Sequence, residues 1–71
     1  LEDFVLDVEP VSNQVVVKTT TAAAQVIAES IDNLYIDNIV ASIAGDNVVL
    51  IISNDESKAK EVAKTIQDNI K

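Results

Sequence analysis

The chain has 71 residues, enough for one small domain and too few for two. Its Asp and Glu number 12 against 5 Lys, a net charge of −7, which argues against a phosphate-binding surface because nucleic-acid recognition needs clustered basic groups. Having neither Cys nor His, it lacks the means for disulfides, thiol redox chemistry, most zinc sites and a Ser-His-Asp triad.

In chain order, Phe4-Val5-Leu6-Asp7-Val8 alternates in part and predicts a strand with one buried face. Glu9-Pro10-Val11-Ser12-Asn13 brings Pro and turn formers and is expected to break it. Gln14 to Thr19 is rich in β-branched residues and predicts a second strand, hairpin-paired with the first. Thr20 or Thr21 can cap the helix that follows. From Ala22 the apolar spacing is helical, with Ala23, Ile27, Ile31 and Leu34 on one face and Ala24 and Ala28 beside them. Tyr35 to Asn38 connects. Ile39 to Ala44 and Val48 to Ile52 are apolar runs of strand length on either side of Gly45-Asp46-Asn47, which predicts a second hairpin with a type II′-like turn at the glycine. Ser53 and Glu56 have capping-box spacing ahead of a helix whose stripe is Ala59, Val62, Ala63, Ile66 and Ile70, with Glu56 and Lys60 paired at i,i+4.

The order ββαββα predicts a two-layer α/β (α+β) domain over residues 1–71: a mainly antiparallel four-stranded sheet with two helices on one face. Hydrophobic residues are 48% of the chain, so it folds, yet aromatics are only 3%, and a small aliphatic core is marginal alone. Val48 to Ile52 is apolar on both faces, although the helices can cover only one. Self-association through the other face is the expected remedy. No apolar run reaches the roughly 18 residues that span a bilayer, so no membrane partner is expected. The single glycine excludes a Gly-rich phosphate loop. The start at Leu1, without Met, suggests a domain of a longer protein.

The sharpest polar feature is Ala44-Gly45-Asp46-Asn47, a carboxylate and an amide at the tip of an apolar hairpin. A plain turn needs the same residue types. Gln25 and Asp32 read as solvated helix residues on their own, and the lysines at 58, 60, 64 and 71 as the wet face of the last helix.

Taken together, these segments resemble the C-terminal domain of bacterial arginine repressors over essentially the whole chain. The resemblance rests on Phe4-Val5-Leu6-Asp7-Val8, Val15-Val16-Val17-Lys18-Thr19-Thr20, Ala23-Ala24-Gln25-Val26-Ile27-Ala28 and Ile31-Asp32-Asn33-Leu34. Its most specific segment is Ser42-Ile43-Ala44-Gly45-Asp46-Asn47, where the family usually reads Thr/Ser-Ile-Ala/Cys-Gly-Asp-Asp. The resemblance implies a cytoplasmic, non-catalytic domain that forms trimers, two of which stack into a hexamer with L-arginine bound between them as co-repressor. It implies no other cofactor and no metal. Operator DNA is then bound only by a separate N-terminal winged helix-turn-helix domain. The ligand residues map to Gln25, Asp32, Ser42, Ala44 and Asp46, with Asn47 standing where the second aspartate is usual. Ala22 stands where Gly is common and Thr21 where Pro is usual.

The alternatives are a structural assembly domain that needs no ligand, and a weakened or paralogous sensor in which Asn47 lowers the charge of the site. A dehydratase of the pterin-carbinolamine type uses histidines that this chain lacks, and a ligand-binding domain of the ACT type runs βαββαβ instead.

Overall fold

The computed structural model describes residues 3–70. Six elements follow in the expected order: β1 (Val5–Val11), β2 (Gln14–Thr19), α1 (Ala24–Asp32), β3 (Ile39–Ala44), β4 (Val48–Ser53) and α2 (Glu56–Asn69). The four strands form one sheet in the order β1-β2-β4-β3, and every neighbouring pair is antiparallel.

The period-2 patterning of β2 and β4 fixes what each face does. Register places Val8 beside Val17, Val17 beside Val49, and Val15 beside Ile51, so these side chains share one face. All five are buried there, with Ala24, Ile27 and Ile31 of α1 and Ala59, Val62, Ala63 and Ile66 of α2. Both helices therefore cover one side of the sheet, as the sequence predicts. Burying a Val or Ile side chain is worth about 1.5–3 kcal/mol, so this aliphatic cluster is the main source of stability.

The other face carries Ile43, Leu50 and Val16 in one cross-strand row and Ala41, Ile52 and Gln14 in the next. Leu50, Val16 and Ile52 are half-buried, while Ile43 is 64% exposed. Nothing among the described residues packs over this apolar surface. Among them, too, no helix is long and apolar enough to cross a membrane.

Local chemistry departs from expectation at five places. First, β1 runs on through Pro10 to Val11, and the turn shrinks to Ser12 and Asn13 with Ser12 at φ 55. Proline is tolerated because β1 is an edge strand, where the missing N–H has no ladder to break. Second, α1 is shorter than its apolar spacing suggests: it ends at Asp32 and leaves Leu34 39% exposed. Third, neither Thr20 nor Thr21 caps it; the N-cap is Ala23, which has no side chain to offer.

Fourth, Gly45 does not adopt positive φ, so the β3–β4 connection is not the type II′ turn expected of it. The glycine N–H instead closes the hairpin on the Val48 carbonyl at 2.8 Å. Fifth, Asp55 rather than Ser53 caps α2, accepting from the Lys58 N–H at 2.8 Å. Glu56 and Lys60 do pair, at 3.8 Å, but on an exposed surface where such pairs contribute little.

Ser53 is displaced from that capping role because it ends β4, facing the core at 2% exposure. Its backbone N–H and carbonyl are satisfied by Asn13, yet its hydroxyl has no hydrogen-bond partner among the described residues. An unpaired buried hydroxyl costs more than the bond it fails to make. Ser53→Ala is expected to stabilise the fold by about 1 kcal/mol, raising the melting temperature by roughly 5 °C for a domain of this size. Calorimetric melting checks this, and a lowered melting temperature would contradict it.

Candidate functional site

The start of α1 lacks its own cap, and the orphan N–H groups of its first turn must be satisfied from elsewhere. The β3–β4 tip does this across the fold. The Ala24 N–H donates to the Asp46 backbone carbonyl at 3.3 Å, and the Ala22 N–H donates to Asp46 Oδ2 at 3.4 Å. Beside them the Thr19 N–H donates to the Asn47 carbonyl at 2.8 Å. A carboxylate at a helix N-terminus also meets the positive end of the helix dipole. The Asp46 backbone carbonyl thereby caps the first N–H of α1, while its carboxylate holds Ala22, just before the N-cap.

Four of the six candidate residues are gathered near this corner. Asp46 and Asn47 form the exposed tip, Gln25 lies exposed in the first turn of α1, and Ala44 leads directly into the tip from the end of β3. Ser42 stands two residues earlier on the same, helix-covered face of β3, half-buried and in register with Ile51. Asp32 is not brought to the tip. It is the last residue of α1, on the same side of the helix as Gln25 but roughly 10 Å further along the axis.

The position of Asp32 is electrostatically poor. A carboxylate at a helix C-terminus opposes the dipole, and no basic residue stands in the last turn of α1. Asp32 is exposed and in no ion pair among the described residues.

Two hollows open among the described residues. One, of about 220 Å³, adjoins the corner and is lined by Phe4, Thr20, Thr21, Ala22, Ala23 and Val26. The other, of about 350 Å³, lies between the connector Leu34–Asn38 and α2. None of the six candidate residues lines either hollow. Of the candidate residues, Gln25, Asp32, Asp46 and Asn47 are exposed in one chain. Among the described residues, no three His, Cys, Asp or Glu side chains converge to hold a metal.

Sequence reasoning misses the backbone donors of Thr19, Ala22 and Ala24. Main-chain amides have no residue type to betray them, and the one signal in the sequence is the run of alanines where a capping side chain would be expected.

These features define a small two-layer α+β domain whose polar hairpin tip is docked on the start of a helix. Comparison with known proteins places it more narrowly. A sequence profile of the arginine repressor C-terminal domain matches residues 1–68. The arginine repressor of Clostridium novyi is 44% identical over 63 residues, covering 89% of this chain and 42% of that protein. That of Clostridium acetobutylicum is 44% identical over 66 residues, covering 93% and 44%. That of Halothermothrix orenii is 31% identical over 67 residues, covering 94% and 45%. The chain belongs to the arginine repressor C-terminal domain family. It spans less than half the length of these relatives.

Proposed function

We propose that this domain is the assembly and effector-sensing part of a cytoplasmic transcriptional regulator of arginine biosynthesis and catabolism genes. It assembles as trimers that pair into hexamers, and it binds L-arginine between the trimers. The observation that carries this reading is the docking of the Asp46-Asn47 tip on the start of α1, which holds a carboxylate and Gln25 at one open edge.

The chemistry suits the ligand. A guanidinium is a planar cationic fork best met by a carboxylate accepting two parallel N–H bonds, which Asp46 can supply. Gln25, in the first turn of α1, can donate to the ligand carboxylate where the helix dipole also favours an anion. Asp32 and the Ala44 carbonyl can accept from the ammonium, and Ser42 adds a hydroxyl. The exposure of Gln25, Asp46 and Asn47 and the Gln25–Asp32 separation support a ligand site completed by a facing copy.

Arginine repressors are named for a ligand and for repression; the operator-binding part of this protein is then a separate N-terminal domain. The 71-residue chain alone is expected to leave an operator fragment unshifted at ordinary salt, because its net charge is −7. A specific mobility shift would sink the view that DNA is read elsewhere.

A second reading has its own observation. Asp46 already has a structural task, its carboxylate holding the turn at Ala22 and its carbonyl the first N–H of α1, which favours a ligand-independent assembly domain. Calorimetric titration with L-arginine, combined with light scattering, decides between the two. Binding with a gain in mass supports the sensor; assembly with no heat of binding supports the structural domain.

A further inference from the structure

Ala22 sits at φ 65, in the left-handed region where the Cβ of an L-residue crowds its own backbone. Such strain persists only where the surrounding structure over-determines it. What holds it here is the turn Thr20–Ala23, closed by the Ala23 N–H on the Thr20 carbonyl at 3.1 Å, whose third position takes positive φ. Held so, the Ala22 N–H donates to Asp46 Oδ2. The bonds that Asp46 receives, 3.3 Å at its carbonyl and 3.4 Å at its carboxylate, are long against the usual value of about 2.9–3.0 Å. The Thr19 bond to the neighbouring Asn47 carbonyl is 2.8 Å. The tip is pinned tightly at Asn47 and loosely at Asp46.

We propose that the backbone amide of Ala22 is the positioning group for the Asp46 carboxylate, and that the strained conformation at residue 22 sets how firmly that carboxylate is held. The inference rests on the proposed role of Asp46 as receiver of the guanidinium. One N–H on Oδ2 fixes the carboxylate rotamer while leaving Oδ1 and the second lone pair of Oδ2 for a cationic fork. When residue 22 relaxes to negative φ, the chain after its N–Cα bond swings relative to the N–H before it, and the contact opens. Apparent affinity then falls with the fraction of molecules whose carboxylate is held. Ala22 acts through Asp46, without touching the ligand by its side chain.

The test uses the whole chain, with Ala22→Gly, Ala22→Val, Asp46→Ala and the Ala22→Gly/Asp46→Ala double variant. Glycine keeps the N–H and removes the crowding, whereas a β-branched residue worsens it. Ala22→Gly is expected to raise the amide protection factors at residues 22 and 24 and to tighten L-arginine binding about three- to tenfold. Ala22→Val is expected to shift both in the opposite direction. In the Asp46→Ala background the protection gained from Ala22→Gly should vanish at residue 22, the non-additivity expected of a shared contact. Strain relief that is merely structural would raise the melting temperature equally in both backgrounds and leave arginine affinity unchanged; that outcome overturns the inference. If the wild-type chain binds no arginine, the sensor reading fails by itself, and the ligand-free cycle still decides the positioning bond. Loss of protection at residue 22 on Asp46→Ala then upholds the bond, and unchanged protection refutes it.

Discussion

Leu50→Lys is expected to turn the proposed assembly into a folded monomer, whereas Val49→Lys one residue earlier is expected to prevent folding. The two positions look alike in the sequence, since both lie in the apolar run of β4. The pleat separates them. Val49 is 0% exposed, paired with Val17 beneath the helices, and a lysine there strands an unpaired charge inside the core. The penalty is several kcal/mol, comparable with the whole stability of a small domain. Leu50 points the other way, into the row of Ile43, Leu50 and Val16. In a single chain a lysine stem can lie along that row with its ammonium in water, so the fold survives. In a face-to-face assembly the same ammonium is trapped between copies, at a similar cost of several kcal/mol per site. Circular dichroism reads the fold and light scattering reads the mass. Wild-type chain that ran as a folded monomer at micromolar concentration, or Leu50→Lys that kept the wild-type mass, would remove the sheet face from its proposed role.

The order of elements was legible because β-branched runs and helical apolar spacing speak strongly even in short segments. Val15 to Thr19 and Val48 to Ile52 are strands as their runs predict, and Ala59, Val62, Ala63 and Ile66 of the predicted stripe are buried. The alternating burial of Val48 to Ile52, apolar on both faces, comes from the helices covering one side. What escaped the sequence depends on tertiary position. Whether Pro10 ends a strand turns on whether that strand is an edge, which no local pattern reveals. Ser53 and Asp55 are both good caps by type; Ser53 lost because it was needed to finish β4 in register with Ile39.

The candidate site was legible in its residues and not in its geometry. Gly45-Asp46-Asn47 announces a turn, and the resemblance to arginine repressors marks Asp46 within it. That Asp46 also meets Ala22 by its carboxylate and the first N–H of α1 by its carbonyl is a contact distant in sequence, invisible to any window. Asp32 shows the reverse case. Its unfavourable place at the end of α1 could be suspected only once the helix was known to stop there, two residues before Leu34.

Asp46→Asn is expected to abolish the effect of L-arginine on assembly while leaving the domain folded, and Asn47→Asp to strengthen it. In the proposed assembly a ligand held between two trimers binds the assembled state better than the separated one, so bound arginine is expected to shift the balance toward the hexamer by mass action. The amide of Asp46→Asn can still accept from the Ala22 N–H, and the backbone carbonyl of residue 46 still caps Ala24. It cannot offer two anionic oxygens to a guanidinium, and a hydrogen bond to a charged group is worth about 1.5–3 kcal/mol against about 1 for a neutral one. Asn47→Asp restores a charge at an exposed position whose backbone carbonyl is already fixed by Thr19. The added carboxylate should tighten arginine binding by about tenfold if it reaches the ligand. Calorimetric titration of both variants, with light scattering in parallel, measures the two effects. The second variant is the sharper test, because gains of affinity do not come from general damage. Were Asn47→Asp to leave affinity unchanged while wild type bound arginine tightly, residue 47 would be a turn residue alone, and the weakened-sensor reading would fall with it.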